Sequence, residues 1–221
     1  MDTNLMTETA RAMVAPGKGL LAADESAGTC KKRFDSVAVE CNEENRRAYR
    51  ELLFTTPGLQ EFVSGVILFD ETLRQKTRDG ANFAEYLKKN GIIPGIKVDA
   101  GAHDMALHPG EKVTEGLDKL AERTLRVLKR TVPAALPGVV FLSGGQTDEN
   151  ATAHLDAMNR IGAPWPLTFS YSRALQAVAL KAWRGQAGNV AAAQKAFHHR
   201  ARMNSLAARG QWNANLEKQA A

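Results

Sequence analysis

Residues 65–73, GVILFDETL, set five apolar or small residues in a row and close on two carboxylates, Asp70 and Glu71. An unbroken apolar run of strand length has no polar face to give to water, which suits a strand covered on both sides in a parallel sheet. Four further runs repeat the pattern: Gly19 to Asp24 (GLLAAD), Gly95 to Val98 (GIKV), Val139 to Leu142 (VVFL) and Leu167 to Phe169 (LTF). Segments of helical spacing alternate with them. Glu43 to Leu53 follows Asn42, a good N-cap, and breaks at Pro57-Gly58, while Phe83 to Lys89 stops at Asn90-Gly91. Val113, Leu117, Leu120, Leu128 and Val132 advance by helical steps up to Pro133, and Asp148 to Asn159 and Ser172 to Trp183 complete the set. Strand then helix, with few hairpin signals, predicts an α/β fold on parallel strands.

Two stretches lie outside this alternation. Thr7 to Val14 reads as a short helix stopped by Pro16-Gly17. The tail, Asn189 to Leu206, is Ala-rich with Phe197, Met203 and Leu206 as sparse apolar points, which predicts a surface helix with a frayed end beyond Gly210.

Composition narrows the partners. A net charge of +5, from 29 Lys and Arg against 24 Asp and Glu, gives a mild preference for anions. The basic residues are scattered except toward the C-terminus, so no nucleic-acid footprint is expected. Cys30 and Cys41 are too few and too irregularly placed for a disulfide scaffold or a zinc site, and reduced thiols are expected. His103, His108, His154, His198 and His199 lack metal-binding spacing and read as surface or core residues. The N-terminal MDTNLMTETARAMV has neither a basic start nor an apolar stretch, and no run approaches bilayer length, so a cytoplasmic location without a membrane partner is expected.

In parallel β/α folds the ligand sits beyond the C-terminal ends of the strands. Those ends offer Asp24, Glu25 and Ser26; Asp70 and Glu71; Lys97 and Asp99; Ser143, Gly144 and Gly145; and Ser170, Tyr171 and Arg173. The Ser143-Gly144-Gly145 turn opens toward a helix, where backbone N–H groups meet an anion, and Arg173 at the next strand end could fork onto the same phosphate. A plain β-to-α turn uses glycine too. Asp24 reads either as a general acid or base or as an N-cap. Lys97, inside an apolar run, either points into the strand-end mouth or pairs near Asp99, since an unpaired lysine is costly to bury.

Six segments in order, LLAADESAGT (20–29), ENRRAYRELLF (44–54), GVILFDETL (65–73), GIKVDAG (95–101), RTVPAALPGVVFLSGGQ (130–146) and PWPLTFSYSRALQAVALKAW (164–183), resemble class I fructose-bisphosphate aldolase over nearly the whole chain. The resemblance implies an eight-stranded β/α barrel that reversibly cleaves fructose 1,6-bisphosphate in glycolysis. The products are dihydroxyacetone phosphate and glyceraldehyde 3-phosphate, the intermediate is a lysine Schiff base, and no cofactor or metal is needed. By matching motifs it implies that Asp24 is the acid/base carboxylate and Lys97 the neighbouring strand-three lysine. Ser26, Thr29, Lys32 and Arg33 fall at one phosphate, and Ser143, Gly144 and Arg173 at the other.

The departures are as informative. The family's KWR, VEPE and LLKPN strand motifs, which carry a second catalytic lysine, the glutamate proton shuttle and the Schiff-base lysine, have no counterpart. The chain passes from the helix after strand three to the helix before strand seven near Arg123, so three β/α units are absent, on the order of 100 residues at about 30 each. The fold expected is an incomplete TIM (β/α)8-type barrel of about five parallel strands, family strands one to three and seven to eight. It forms a single domain over residues 1–221, with residues 186–221 as C-terminal helix and tail. Ser172 stands where the family usually has glycine, which crowds the backbone there, and the C-terminal Ala221 replaces a tyrosine of many members. Without the nucleophile, turnover is not expected, because the other catalytic groups act on the iminium that the lysine makes. Three readings follow: an aldolase by family, a sugar-phosphate-binding or subunit-interaction remnant, or a product that does not fold. Open strand edges make self-association the expected protein contact.

Overall fold

A computed structural model describes residues 3–97 and 136–218. The expectations for Val98, Asp99, Gly101, His103, His108, the helix from Val113 and the junction near Arg123 lie outside these residues.

In chain order the elements are α1 (Thr3–Met13), β1 (Gly19–Ala23), α2 (Ala27–Asp35), α3 (Glu43–Phe54), β2 (Val63–Leu68), α4 (Asp70–Arg74), α5 (Phe83–Lys89) and β3 (Ile93–Ile96). After the undescribed stretch come β4 (Val139–Phe141), α6 (Asp148–Ile161), β5 (Leu167–Tyr171), α7 (Arg173–Trp183), α8 (Val190–Ala207) and α9 (Ala214–Glu217). Short polar side chains open several helices. Asn42 accepts from the Asn45 N–H, Asn82 from Ala84 and Glu85, and Thr147 from Asn150, each satisfying a donor that the first helical turn leaves bare.

The five strands form one parallel sheet in the order β3-β2-β1-β5-β4. Read from the other edge the order is 4, 5, 1, 2, 3, so each step within the two described runs moves the same way round. A right-handed crossover repeated in one direction puts the helices on one face. A doubly wound sheet reverses direction at its middle and carries helices on both. The order here is therefore an arc of a barrel, with the first and last strands, β1 and β5, side by side.

The strand residues divide by parity between the two faces, as the two-residue period requires. Leu21 and Ala23, Val66 and Leu68, and Leu167, Phe169 and Tyr171 enter the main apolar cluster with Phe34, Tyr49, Leu52, Leu175, Leu180, Trp183 and Phe197 from the helices. Phe34, Tyr49 and Trp183 meet ring to ring at 5.4–5.9 Å, an arrangement that adds quadrupole attraction to burial. The alternate residues Ala22, Thr168 and Ser170 are small or hydroxylic and face the inside of the arc, where Ala22 and Ser170 line a cavity.

Two expectations are corrected. The tail helix α8 is no surface helix: Ala193, Phe197, Arg200, Ala201, Met203, Asn204, Ser205 and Ala207 are buried. Its buried stripe is built largely of alanine and polar residues, so a search for large apolar side chains underestimates it, whereas small residues let it pack close against α7 and α6. The third strand runs from Ile93 to Ile96, two residues earlier than GIKV suggests, because Ile93 and Pro94 pair with Gly65 and Val66.

Candidate functional site

β1 carries Asp24, Glu25 and Ser26 to the rim of the arc. Ser26 adopts an extended conformation, and its Oγ accepts from the Thr29 N–H at 3.4 Å, which starts α2. With the helix begun there, Thr29, Lys32, Arg33 and Ser36 fall three, one and three residues apart and share one face. All four line a cavity of about 660 Å³.

The opposite wall comes from the turn after β4 and the start of α7. Gly144 and Gly145 have φ of +56° and +86°, the left-handed region that glycine enters without a Cβ clash. A Cβ on Gly145 would stand 3.4 Å from Arg173 Nη2, so the bare turn lets that guanidinium lie close over it. Ser143, Gly144, Gly145, Ser170, Ser172 and Arg173 complete the wall. Ser26 does not line it, but the other residues expected at the two separate phosphates face one another across a single cavity.

Of the two helix starts beside the cavity, that of α7 is electrostatically better suited to an anion than that of the helix after the glycine turn. α6 opens with Asp148 and Glu149 and is capped by Thr147, which repels an anion and fills a donor. α7 has no acid in its first turn and no side-chain cap, so its N–H groups and dipole are available. Among the described residues, Lys32, Arg33 and Arg173 line the cavity and no carboxylate does.

Beneath this wall Glu25, 7% exposed, takes an ion pair from Arg33 and another from Arg50 at 2.6 Å, and its Oε1 accepts from Ser172 Oγ at 2.5 Å. Burial pushes the carboxyl up, but Arg50, Arg33 and the Ser172 hydroxyl outweigh it and hold Glu25 below the ordinary carboxylate value. Arg50 is 2% exposed and also meets the Cys30 Sγ at 3.6 Å. The same burial and charge neighbourhood raises the Cys30 thiol, desolvation being the largest influence. Two guanidinium groups for one carboxylate leave net positive charge under the cavity floor.

Ser172 lines the cavity beside Arg173. Its φ of −103° lies outside the region that demands glycine, and its hydroxyl is directed at Glu25.

Asp24 and Lys97 stand apart from the cavity lining and pair with each other at 3.5 Å, both partly exposed. Of the two readings for Asp24, the N-cap falls to Ser26 and the carboxylate is left to Lys97. Asp70 and Glu71 leave the strand-end ring. They open α4 and pair with Arg74 at 2.8 Å and Arg46 at 2.6 Å. Tyr171 is buried within β5, and its hydroxyl donates to the Ala151 carbonyl at 2.9 Å. Cys30 and Cys41 are free thiols. His154 is half-buried against Gln146 at 2.7 Å. Among the described residues no group of three His, Cys, Asp or Glu could hold a metal ion, and no helix is long and apolar enough to cross a membrane.

The sequence model of the glycolytic family described as fructose-bisphosphate aldolase class-I matches residues 5–126 and 120–221. This chain belongs to the class I fructose-bisphosphate aldolase family. It is 40% identical to a probable fructose-bisphosphate aldolase class 1 of Xanthomonas axonopodis pv. citri, over 96% of this chain and 99% of that protein. It is 36% identical to the cytosolic fructose-bisphosphate aldolase 5 of Arabidopsis thaliana, over 94% and 91%. A solved fructose-bisphosphate aldolase of Plasmodium falciparum, in complex with TRAP and a small-molecule inhibitor, superposes with a TM-score of 0.87 at 34% identity over 96% of each chain. The aldolase fold is a TIM barrel, and the described strands here are an unclosed arc of one.

Sequence reasoning missed Arg50 and Ser36 in this aldolase-family site. Ser36 had a signal, since it continues the spacing of Thr29, Lys32 and Arg33. Arg50 lay among Tyr49, Leu52 and Leu53 on the buried side of α3, and an arginine in that register is a sign of a buried carboxylate partner.

Proposed function

We propose that this chain is an aldolase-family barrel lacking three central β/α units, which grips a phosphate end of a sugar bisphosphate in the strand-end cavity but does not turn it over. The observation that carries the reading is the cavity itself, with Lys32, Arg33, Arg173 and the uncapped start of α7 converging on one space. Thr29, Ser143 and the Gly144-Gly145 turn supply neutral donors to the same space, and Ser26 fixes the helix that presents Thr29. The expected ligands are fructose 1,6-bisphosphate and dihydroxyacetone phosphate, in the cytoplasm.

Two observations support the missing segment. The family's sequence model matches in two stretches that meet at residues 120–126. The alignment with the Xanthomonas relative runs over 332 positions although this chain has 221 residues. The Schiff-base chemistry of the family needs a neutral lysine amine against the ketone. Lys97 faces the Asp24 carboxylate at 3.5 Å, a pairing that suits an electrostatic part beside an acid/base aspartate.

Borohydride reduction in the presence of dihydroxyacetone phosphate is expected to leave the chain's mass unchanged. An adduct on any lysine, Lys97 included, overturns the inactivity. Dihydroxyacetone phosphate is expected to raise the melting temperature of the wild-type chain and to leave that of Arg173→Ala unmoved. No shift of the wild type at saturating ligand overturns the binding.

A further inference from the structure

The basic residues that crowd toward the C-terminus take no part in the strand-end cavity. α8 carries Lys195, His198, His199, Arg200 and Arg202 and no carboxylate along its 18 residues. Arg200 turns inward to Glu217 at 2.6 Å and to Thr152. The other four follow at intervals of three, one and three, share the opposite side of the helix and face Thr56 and Pro57 across a separate cavity of about 410 Å³. Among the described residues no carboxylate lines it.

These basic side chains stand on a built wall. Gln194, beside them, has its amide tied to the Leu52 carbonyl and Thr55 Oγ1, each at 3.1 Å. The His198 ring meets Phe62 edge to face at 5.0 Å, and its Nε2 lies 3.2 Å from where a Cβ on Gly58 would stand. Lys195, His198 and Arg202 form no hydrogen bond or ion pair with any described residue. The acids nearby are Glu217, 3.5 Å from His199, and Glu61, next to Gly58 at the far side of His198. A merely solvated charged face has no need of a recess with a fixed aromatic ring in it.

We propose that this groove is a second anion site, for the linked phosphoryl groups of a condensed phosphate. Lys195 and Arg202 are seven residues apart, about 10 Å along the helix axis, which exceeds the reach of one phosphate and matches a short phosphoryl chain. Between them lie the two imidazoles, and an arginine at one end offers the forked donor that phosphate oxygens accept. The site depends on α8 and the Thr56-Pro57 loop alone, so it stands or falls independently of the sugar-phosphate reading.

The test is calorimetric titration of the full chain with inorganic tripolyphosphate and with orthophosphate at constant ionic strength. One saturable tripolyphosphate event is expected to survive Arg173→Ala and to weaken about tenfold or more in Lys195→Glu with Arg202→Glu, a loss of at least two charge contacts. Orthophosphate is expected to bind this site at least about tenfold more weakly than tripolyphosphate. Both replaced side chains are exposed, so the unliganded melting temperature should not move. If that charge reversal nevertheless unfolds the chain, Lys195→Ala alone decides, with a loss of about threefold expected. Binding that Arg173→Ala alone abolishes, binding indifferent to both α8 substitutions, or a response without saturation overturns the proposal.

Discussion

Glu25 is held by two guanidinium groups and a hydroxyl, and Arg50 has Nε and Nη1 buried without a hydrogen-bond partner. Removing the carboxylate leaves Arg50 charged in a dry place. Glu25→Ala is therefore expected to destabilise the fold by about 3–5 kcal/mol, the penalty for orphaning a buried charge, as read from the denaturant midpoint. The acid limb follows in sign. Glu25 titrates below its ordinary value of 4.5, so its contribution is whole above that pH and is lost as pH falls through the lower value of the folded chain. Glu25→Gln should flatten the fall in stability below pH 4.5 relative to the wild type. The carboxylate and Arg173 were legible as strand-end residues, and Arg33 only through the aldolase resemblance. Their division of labour was not, because whether a strand-end acid meets ligand or anchors arginines depends on Arg50, which arrives from another helix 25 residues on.

At the scale of elements, α8 is the part most changed by the structure. Phe197 is fully buried on it and belongs to the main core cluster, so Phe197→Ala is expected to lower stability by about 3–5 kcal/mol. A helix lying on the surface would lose well under 1 kcal/mol, and chemical denaturation separates the two. α3, α5, α6 and α7 were readable from apolar spacing, with Asn42 marking the start of α3 and Phe83, Leu87, Leu155 and Leu175 the buried faces of the others, whereas α4 and α9, the latter within the stretch expected to fray, were not. α2 escaped notice because its two buried residues, Cys30 and Phe34, give too short a stripe for a period to show. The cavity-lining face of that helix, Thr29, Lys32, Arg33 and Ser36, is its polar one.

For the molecule as a whole, strand position should govern amide exchange. β1 has a partner on each side, while β3 and β4 have one each among the described residues. Ile96, Val140 and Leu142 beside those edges are 42%, 41% and 77% exposed. Hydrogen-exchange mass spectrometry is expected to show β1 most protected and β3 and β4 least, because an edge strand opens without breaking a second ladder. The sequence by itself determined the parallel β/α alternation, the aldolase kinship and the polar residues at the strand ends. Each of these is written locally, in hydrophobic period, turn chemistry and contiguous motifs. Only the tertiary structure decided that β5 lies against β1, that residues of α2 and of the β4 and β5 strand ends wall one cavity, and that Arg50 sits beneath it. Those are contacts between residues as much as 150 positions apart, and they are set by which faces pack together rather than by any local preference of the chain.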